Sequence, residues 1–278
     1  MNRVILTKQG SINLAQKTAI MGILNVTPDS FSDGGKFNLM ESAVKQAIQM
    51  EQAGADIIDI GGESTRPGYT PVSTEEEIAR VVPIIRKVRQ AVSIPISIDT
   101  FKAETAKQAI EAGADIINDV WGAKREPEIA QVAATFNVPI ILTHNRKNVS
   151  YISLLEDVKA DLQESIDIAV EKGVRPEKII LDPGIGFAKS ADQNLELIRV
   201  LDQLLSLGYP LLLGASRKSV IGKVLNLPIN QRDEATAATT CFGITKGVDI
   251  VRVHNVEMNV RSAKMMDVLI GKGGSIDG

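Results

Sequence analysis

The sequence predicts a single parallel (β/α)8 barrel, a TIM barrel, with an N-terminal β-hairpin plugging its bottom. Three observations predict it. About eight short apolar runs alternate with amphipathic helix-like segments along the chain. Each run ends in polar residues before a loop, and the boundary Ala-Gly-Ala-Asp-Ile-Ile stands at 53–58 and again at 112–117, with a looser copy at 247–251. At 278 residues the chain has the size of one such barrel and shows no linker or low-complexity stretch, so residues 1–278 are read as one domain. A doubly wound open sheet is the alternative.

The hairpin comes first: Arg3 to Lys17 alternates in polarity around Gln9, Gly10 and Ser11. Ile20 to Leu24 is then a strand ending at Asn25, and a loop from Val26 to Phe37 leads to a helix from about Met40 that closes at Ala53 and Gly54. Ile57 to Ile60 encloses Asp59 and ends in Gly61, Gly62 and Glu63. A second long loop, Ser64 to Ser73, precedes a helix for which Thr74 and Glu77 form the expected capping box. Pro95 to Ile98 ends at Asp99, Asp115 to Ile117 at Asn118 and Asp119, and Val138 to Leu142 at Thr143, His144 and Asn145. After a helix from about Leu154 to Val170, the run Lys178 to Leu181 ends at Asp182, where Pro183 cannot donate a ladder hydrogen bond and the strand stops. Pro210 to Leu213 leads to Ser216, Arg217 and Lys218, and Asp249 to Val253, containing Arg252, leads to His254 and Asn255. In the copied boundaries the glycine ends a helix, the aspartate opens a strand, and the position after the two β-branched residues holds Asp59, Asn118 or Arg252. These positions fall toward the C-terminal strand ends, the face on which such barrels bind substrates.

Composition removes several classes. A hydrophobic fraction of 44% supplies a large core, while 4% aromatics and a net charge of −3 leave neither a stacking platform nor a basic footprint for nucleic acid. Cys241 is the only cysteine, which excludes an intramolecular disulfide and a multi-thiolate metal site and accords with a reducing compartment. Met1 to Gln16 contains no apolar signal core and no apolar run reaches a membrane span, so a cytoplasmic protein without a membrane partner is expected.

A charge at the end of a doubly buried strand is costly unless something pairs with it. For Asp182 alone, a carboxylate capping the amides of the next loop is the simpler reading. Repetition argues for a ligand site: Asn25, Asp99, Asn118, Asp182, Lys218, Arg252 and His254 collect on one face, with Thr65 and Arg66 on the second loop. Carboxylates with an asparagine suit a flat heterocycle bearing donors and acceptors, and the cations suit an anion such as phosphate. No Ser, His and Asp arrangement stands out, and His144 and His254 are too isolated to suggest zinc.

The segments 25–35, 61–68, 182–187 and 216–222 resemble the signature segments of the dihydropteroate synthase family, the folate-pathway target of sulfonamides. Asn-Val-Thr-Pro-Asp-Ser-Phe-Ser at 25–32, joined to Ser-Thr-Arg-Pro-Gly at 64–68, carries most of the likeness. The resemblance implies condensation of 6-hydroxymethyl-7,8-dihydropterin diphosphate with 4-aminobenzoate, giving dihydropteroate and pyrophosphate with Mg²⁺. It implies Asp99, Asn118, Asp182 and Lys218 on the pterin, Thr65, Arg66, Arg252 and His254 on the diphosphate, and Asn25 on the metal. Phe31, Pro67, Phe187 and Ser219 would wall the aminobenzoate subsite, and Lys218, Arg252, Arg66 and Asp33 would carry the reaction. One departure is Thr143, where the family commonly has Met against the pterin. The resemblance also implies a homodimer through the last helices, from about Glu234 to Gly247 and Val256 to Leu269. The two long glycine-containing loops, Val26 to Phe37 and Gly62 to Ser73, are expected to order over the bound pterin diphosphate and so complete the arylamine subsite. Two alternatives share the barrel: a pterin-dependent methyltransferase acting on a corrinoid, which would not need the 64–68 segment, and a catalytically silent pterin-binding paralogue, which would be expected to lose loop residues retained here.

Overall fold

The computed structural model describes residues 3–26, 36–63 and 72–273, apart from the side chains of 36–38. Ten strands and nine helices follow in the order β1 (Val4–Thr7), β2 (Gly10–Asn13), β3 (Ala19–Asn25), α1 (Lys36–Gln52), β4 (Ile57–Gly61), α2 (Thr74–Ala91), β5 (Ile96–Asp99), α3 (Ala103–Ala112), β6 (Ile116–Asp119) and α4 (Glu128–Phe136) among the described residues. Then come β7 (Ile140–Thr143), α5 (Leu154–Glu171), β8 (Ile179–Asp182), α6 (Ala191–Arg199), β9 (Leu212–Leu213), α7 (Ser219–Leu225), α8 (Asp233–Thr245), β10 (Ile250–Val253) and α9 (Val256–Leu269). Eight parallel strands run in the order β8-β7-β6-β5-β4-β3-β10-β9, and a parallel bridge from Leu181 to Leu211 joins the two ends, so the sheet curls into the expected barrel.

The side-chain period of two splits each strand between two cores. Ile20, Ile58, Ile60, Ile98, Leu142 and Leu181 face the helices. Met21, Ile57, Ile116, Ile141, Ile180 and Ile250 form a separate cluster inside the barrel. Ile5, Ile12 and Leu14 join that inner cluster, so the hairpin β1–β2 seals the barrel floor as the sequence predicts. With the floor filled by aliphatic groups, the inward positions further up each strand are left to polar residues.

The copied boundaries stitch the floor together. Asp56 Oδ2 accepts from the Ile20 amide at 2.9 Å, Asp115 Oδ2 from Ile96 at 3.0 Å and Asp249 Oδ2 from Leu211 at 3.1 Å. Each carboxylate also meets a cation: Lys17 on Asp56, Arg89 on Asp115 at 3.2 Å, and Arg3 on Asp249 at 3.4 Å. These repeated aspartates are thus backbone caps, one per repeat.

Two local expectations shift. Helix α1 begins at Lys36, about a turn before Met40. Helix α2 is capped one residue earlier than read, by Ser73, whose hydroxyl accepts from the Glu76 amide at 3.2 Å. Glu77 is therefore no capping residue. Its position on the buried face turns it inward, where it accepts from Thr105 Oγ1 at 3.1 Å and pairs with Lys102 Nζ at 3.0 Å. No helix among the described residues is long and apolar enough to cross a membrane.

Candidate active site

The mouth of the barrel is built from the inward side chains at the C-terminal strand ends. Arg252 on β10 donates from Nε to Asp59 Oδ2 on β4 at 2.5 Å and from Nη2 to Asp99 Oδ2 on β5 at 2.6 Å. Asn118 on β6 donates from Nδ2 to the same Asp59 oxygen at 3.1 Å. All four residues are buried or nearly so, and one guanidinium serves two carboxylates. Burial pushes the Asp99 carboxyl up to about 7 against the pull of Arg252. Burial also works against the Arg252 charge, but Asp59 and Asp99 more than offset it, and the guanidinium is held firmly protonated. Asp59 Oδ1 and Asp99 Oδ1 are buried with no hydrogen-bond partner among the described residues, a costly state for two carboxylate oxygens at a strand end.

Strand pairing carries the ring onward. Asn25 lies in register with Gly61, Gly61 with Asp99, Asp99 with Asn118, and Thr143 with Asp182. Asp182 Oδ1 caps the following loop by accepting from the Gly184 amide at 2.7 Å, so the simpler of the two sequence readings holds for one oxygen. Its Oδ2 lies over Gly214, where even a Cβ would come within 3.4 Å. Burial raises the Asp182 carboxyl, opposed by the Gly184 amide and by Lys218 and Arg252.

The β9–α7 segment positions the other cation. Arg217 takes a left-handed φ of 55° and forks onto Asp233, Nε to Oδ1 at 2.6 Å and Nη2 to Oδ2 at 2.9 Å. Arg232 Nη1 donates to the carbonyls of Arg217 at 3.1 Å and Lys218 at 3.3 Å. Gly222 leaves room for that guanidinium, since a Cβ there would lie 2.1 Å from Arg232 Nη2. So held, Lys218 places its ammonium 4.2 Å from the centre of the Phe187 ring. Ser219 follows, exposed in the first turn of α7. His254 lies beside Ser216, whose Oγ is 2.9 Å from Nδ1 and accepts from the His254 amide at 3.1 Å.

The structure therefore brings Asn25, Asp99, Asn118, Asp182, Lys218, Arg252, His254, Phe187 and Ser219 to one end of the barrel. Phe31, Asp33, Thr65, Arg66 and Pro67 lie outside the described residues. Sequence reasoning missed the pairing of Asp59, although the copied boundary sets Asp59, Asn118 and Arg252 at one repeat position. It also missed Ser216, Arg232 and Asp233, whose partners are distant in the chain. Asp119 belongs elsewhere: it caps the amides of Trp121 at 2.8 Å and Ala123 at 2.6 Å, and burial raises its carboxyl to about 7. Among the described residues no group of three or more His, Cys, Asp and Glu side chains is placed to hold a metal.

A barrel with this polar ring is a pterin-binding enzyme, and the family model described as pterin binding enzyme matches residues 21–254. The chain is 58% identical to the dihydropteroate synthase of Clostridium beijerinckii over 259 residues, covering 93% of this chain and 96% of that protein. It is 55% identical to the dihydropteroate synthase of Bacillus subtilis over 272 residues, covering 98% and 95%. A crystal structure of dihydropteroate synthase from Clostridium difficile in the presence of pteroic acid superimposes with a TM-score of 0.91 at 49% identity, covering 93% of this chain and 98% of that one. The Xanthomonas albilineans dihydropteroate synthase with 4-aminobenzoic acid gives 0.92 at 36% identity, covering 97% and 99%. The chain belongs to the dihydropteroate synthase family, transferases of folate biosynthesis.

Proposed function

We propose that the whole chain works as one barrel domain whose mouth condenses 6-hydroxymethyl-7,8-dihydropterin diphosphate with 4-aminobenzoate. The observation that carries the assignment of roles is the ring Asp59, Asp99, Asn118, Asp182 and Arg252, a buried set of acceptors and donors opening at the strand ends. Asp182 and Asn118 read the amino and N–H edge of the pterin, and Asp99 lies on the same ring. Lys218 lies against the pterin and, with the Phe187 ring beneath it, forms the boundary between the pterin and arylamine subsites. Arg252 reaches the departing diphosphate through Nη1, which bonds no described residue, while Nε and Nη2 stay on the carboxylates. His254 beside Ser216 adds a second contact to that group, and Thr65 and Arg66 add those of the second loop. Positive charge fixed where the diphosphate develops negative charge lowers the barrier to its loss, and the weakly basic aniline then attacks the exposed methylene carbon. No protein nucleophile is required.

The metal fits this frame without a protein cage. Asn25 offers one neutral amide oxygen at the mouth, the kind of single protein ligand that suits Mg²⁺ held mainly by phosphate oxygens and water. When bound, Mg²⁺ neutralises charge on the leaving diphosphate. The chain is further proposed to act in the cytoplasm as a homodimer through α8 and α9, whose exposed Phe242, Met265 and Leu269 supply apolar surface.

Release of pyrophosphate on mixing the purified chain with both substrates and Mg²⁺ tests the reading. Release that requires 4-aminobenzoate and matches dihydropteroate formed mole for mole is expected. A folded chain that binds pterin but releases no pyrophosphate would overturn it in favour of a silent pterin binder.

A further inference from the structure

Behind β7 and β8 stands a polar cluster that the proposed chemistry does not use. Lys189, just before α6, directs its ammonium back into the turn that follows Asp182. It donates to the carbonyls of Gly184 at 3.0 Å and Phe187 at 3.1 Å and lies 2.7 Å from His144 Nδ1. His144 is fully buried, and its Nε2 is 2.9 Å from Asp161 Oδ2 on α5. Burial holds the imidazole down at about 4, so it is neutral. Burial also pulls Lys189 down to about 7, while the three acceptors around Nζ favour its charged form. A neutral ring beside a carboxylate keeps its proton on Nε2, which leaves Nδ1 as the acceptor for Lys189. Arg146 Nε at 3.1 Å balances the charge of Asp161.

The turn gripped by Lys189 is closed by its own Phe187 amide, which donates to the Gly184 carbonyl at 3.0 Å, and its Gly184 amide donates to Asp182 Oδ1 at 2.7 Å. Gly184, Gly186 and Ala188 take positive φ values of 69°, 86° and 49°. Gly184 runs so close to β7 that a Cβ would stand 2.0 Å from the His144 carbonyl oxygen. The exit is tied to α6 by Asn194, whose Oδ1 accepts from the Gly186 amide at 2.7 Å, and to Tyr151, whose hydroxyl donates to the Ala188 carbonyl at 2.9 Å. Among the described residues Lys189 is the side chain that bonds both the Gly184 and Phe187 carbonyls and ties them to His144 at the end of β7. That turn presents Phe187, the ring under Lys218.

We propose that Lys189 is a positioning residue of the arylamine subsite: its ammonium, seated on the Gly184 and Phe187 carbonyls and backed by the His144–Asp161 pair, fixes where the Phe187 ring stands. The proposal rests on the reading of Phe187 as a wall of that subsite. It weights the two substrates differently. Asp59, Asp99, Asn118 and Arg252 are held by contacts that do not pass through Lys189. Asp182, however, meets the turn at the Gly184 amide and Lys218 at the Phe187 ring, so a smaller effect on the pterin diphosphate accompanies the larger one on 4-aminobenzoate.

Steady-state kinetics on the full chain test it, with Lys189→Met, Phe187→Leu and the double variant. Lys189→Met should raise KM for 4-aminobenzoate about tenfold or more and KM for the pterin diphosphate less than about threefold. In the Phe187→Leu background the same change should add less than about twofold, because the wall it positions is already lost. An equal rise in both KM values, or a full effect on top of Phe187→Leu, would overturn the proposal. If Phe187→Leu alone leaves KM for 4-aminobenzoate unchanged, the subsite reading fails instead. Should Lys189→Met not fold, His144→Asn, which keeps an acceptor near the Nδ1 position, is compared with His144→Leu, which removes it. The asparagine should stay within about threefold of the parent while the leucine shows the rise, and equal values for the pair would contradict the proposal.

Discussion

Arg252 donates through Nη2 to Asp99 Oδ2 at 2.6 Å across the mouth of the barrel, joining residues 153 positions apart in the chain. The same guanidinium holds Asp59, which is fully buried. One cation between two carboxylates makes Arg252 a part of the barrel's stability as well as of the proposed diphosphate site.

Arg252→Met should therefore destabilise the fold as well as abolish turnover. Leaving Asp59 and Asp99 buried without their counter-charge costs about 3–5 kcal/mol. Urea unfolding measures it. Adding Asp59→Asn to the methionine variant should restore part of the loss, since an amide carries no charge to strand, and a second substitution that deepened the loss would count against this view.

Gly184→Ala should weaken the fold more than Gly10→Ala. Both glycines have positive φ, 69° and 135°, but a Cβ at Gly184 would meet the His144 carbonyl oxygen at 2.0 Å whereas at Gly10 it meets nothing within 4 Å. The hairpin variant should lose about 1 kcal/mol and the loop variant at least about 2 kcal/mol, read by thermal melting. Equal losses would show that the turn after Asp182 can move away from β7.

His144 gives a stability that depends on pH. Its pKa is about 4 in the folded chain against an ordinary 6.5, so between those values the unfolded chain binds the proton that the folded chain refuses. Stability from this group is complete above pH 6.5 and is lost as pH falls through about 4, with a size of up to about 3 kcal/mol. Asp99 and Asp119, raised to about 7, tilt stability the other way over much of that range. The effect is thus read as a difference: the pH slope of urea stability between about 4 and 6.5 should be more positive in the parent than in His144→Asn. Equal slopes would show that the imidazole titrates in the fold as it does in the unfolded chain.

The barrel was legible in the sequence because its signal repeats. Ala-Gly-Ala-Asp fixed the register of β4 and β6, and with it the common position of Asp59, Asn118 and Arg252. What the sequence withheld is who meets whom. Asp59 and Arg252 are 193 residues apart, and His144 and Lys189 are 45 apart, so their pairing appears only once the strands are laid side by side. The cap of α2 was misplaced for a local reason: Ser73 and Thr74 are both good caps, and burial of Glu77 against Lys102 chose between them.

The central claim is that Asp182 anchors the pterin, and calorimetric titration of Asp182→Asn with the pterin diphosphate tests it most directly. The amide keeps the shape and removes one acceptor of a charge-assisted hydrogen bond, worth roughly 1.5 to 3 kcal/mol. Because Asp182 Oδ1 also caps Gly184, folding of the variant is verified by its melting curve. Weakening of at least about tenfold in a folded variant is the predicted result; an unchanged affinity would contradict the assignment of the barrel mouth.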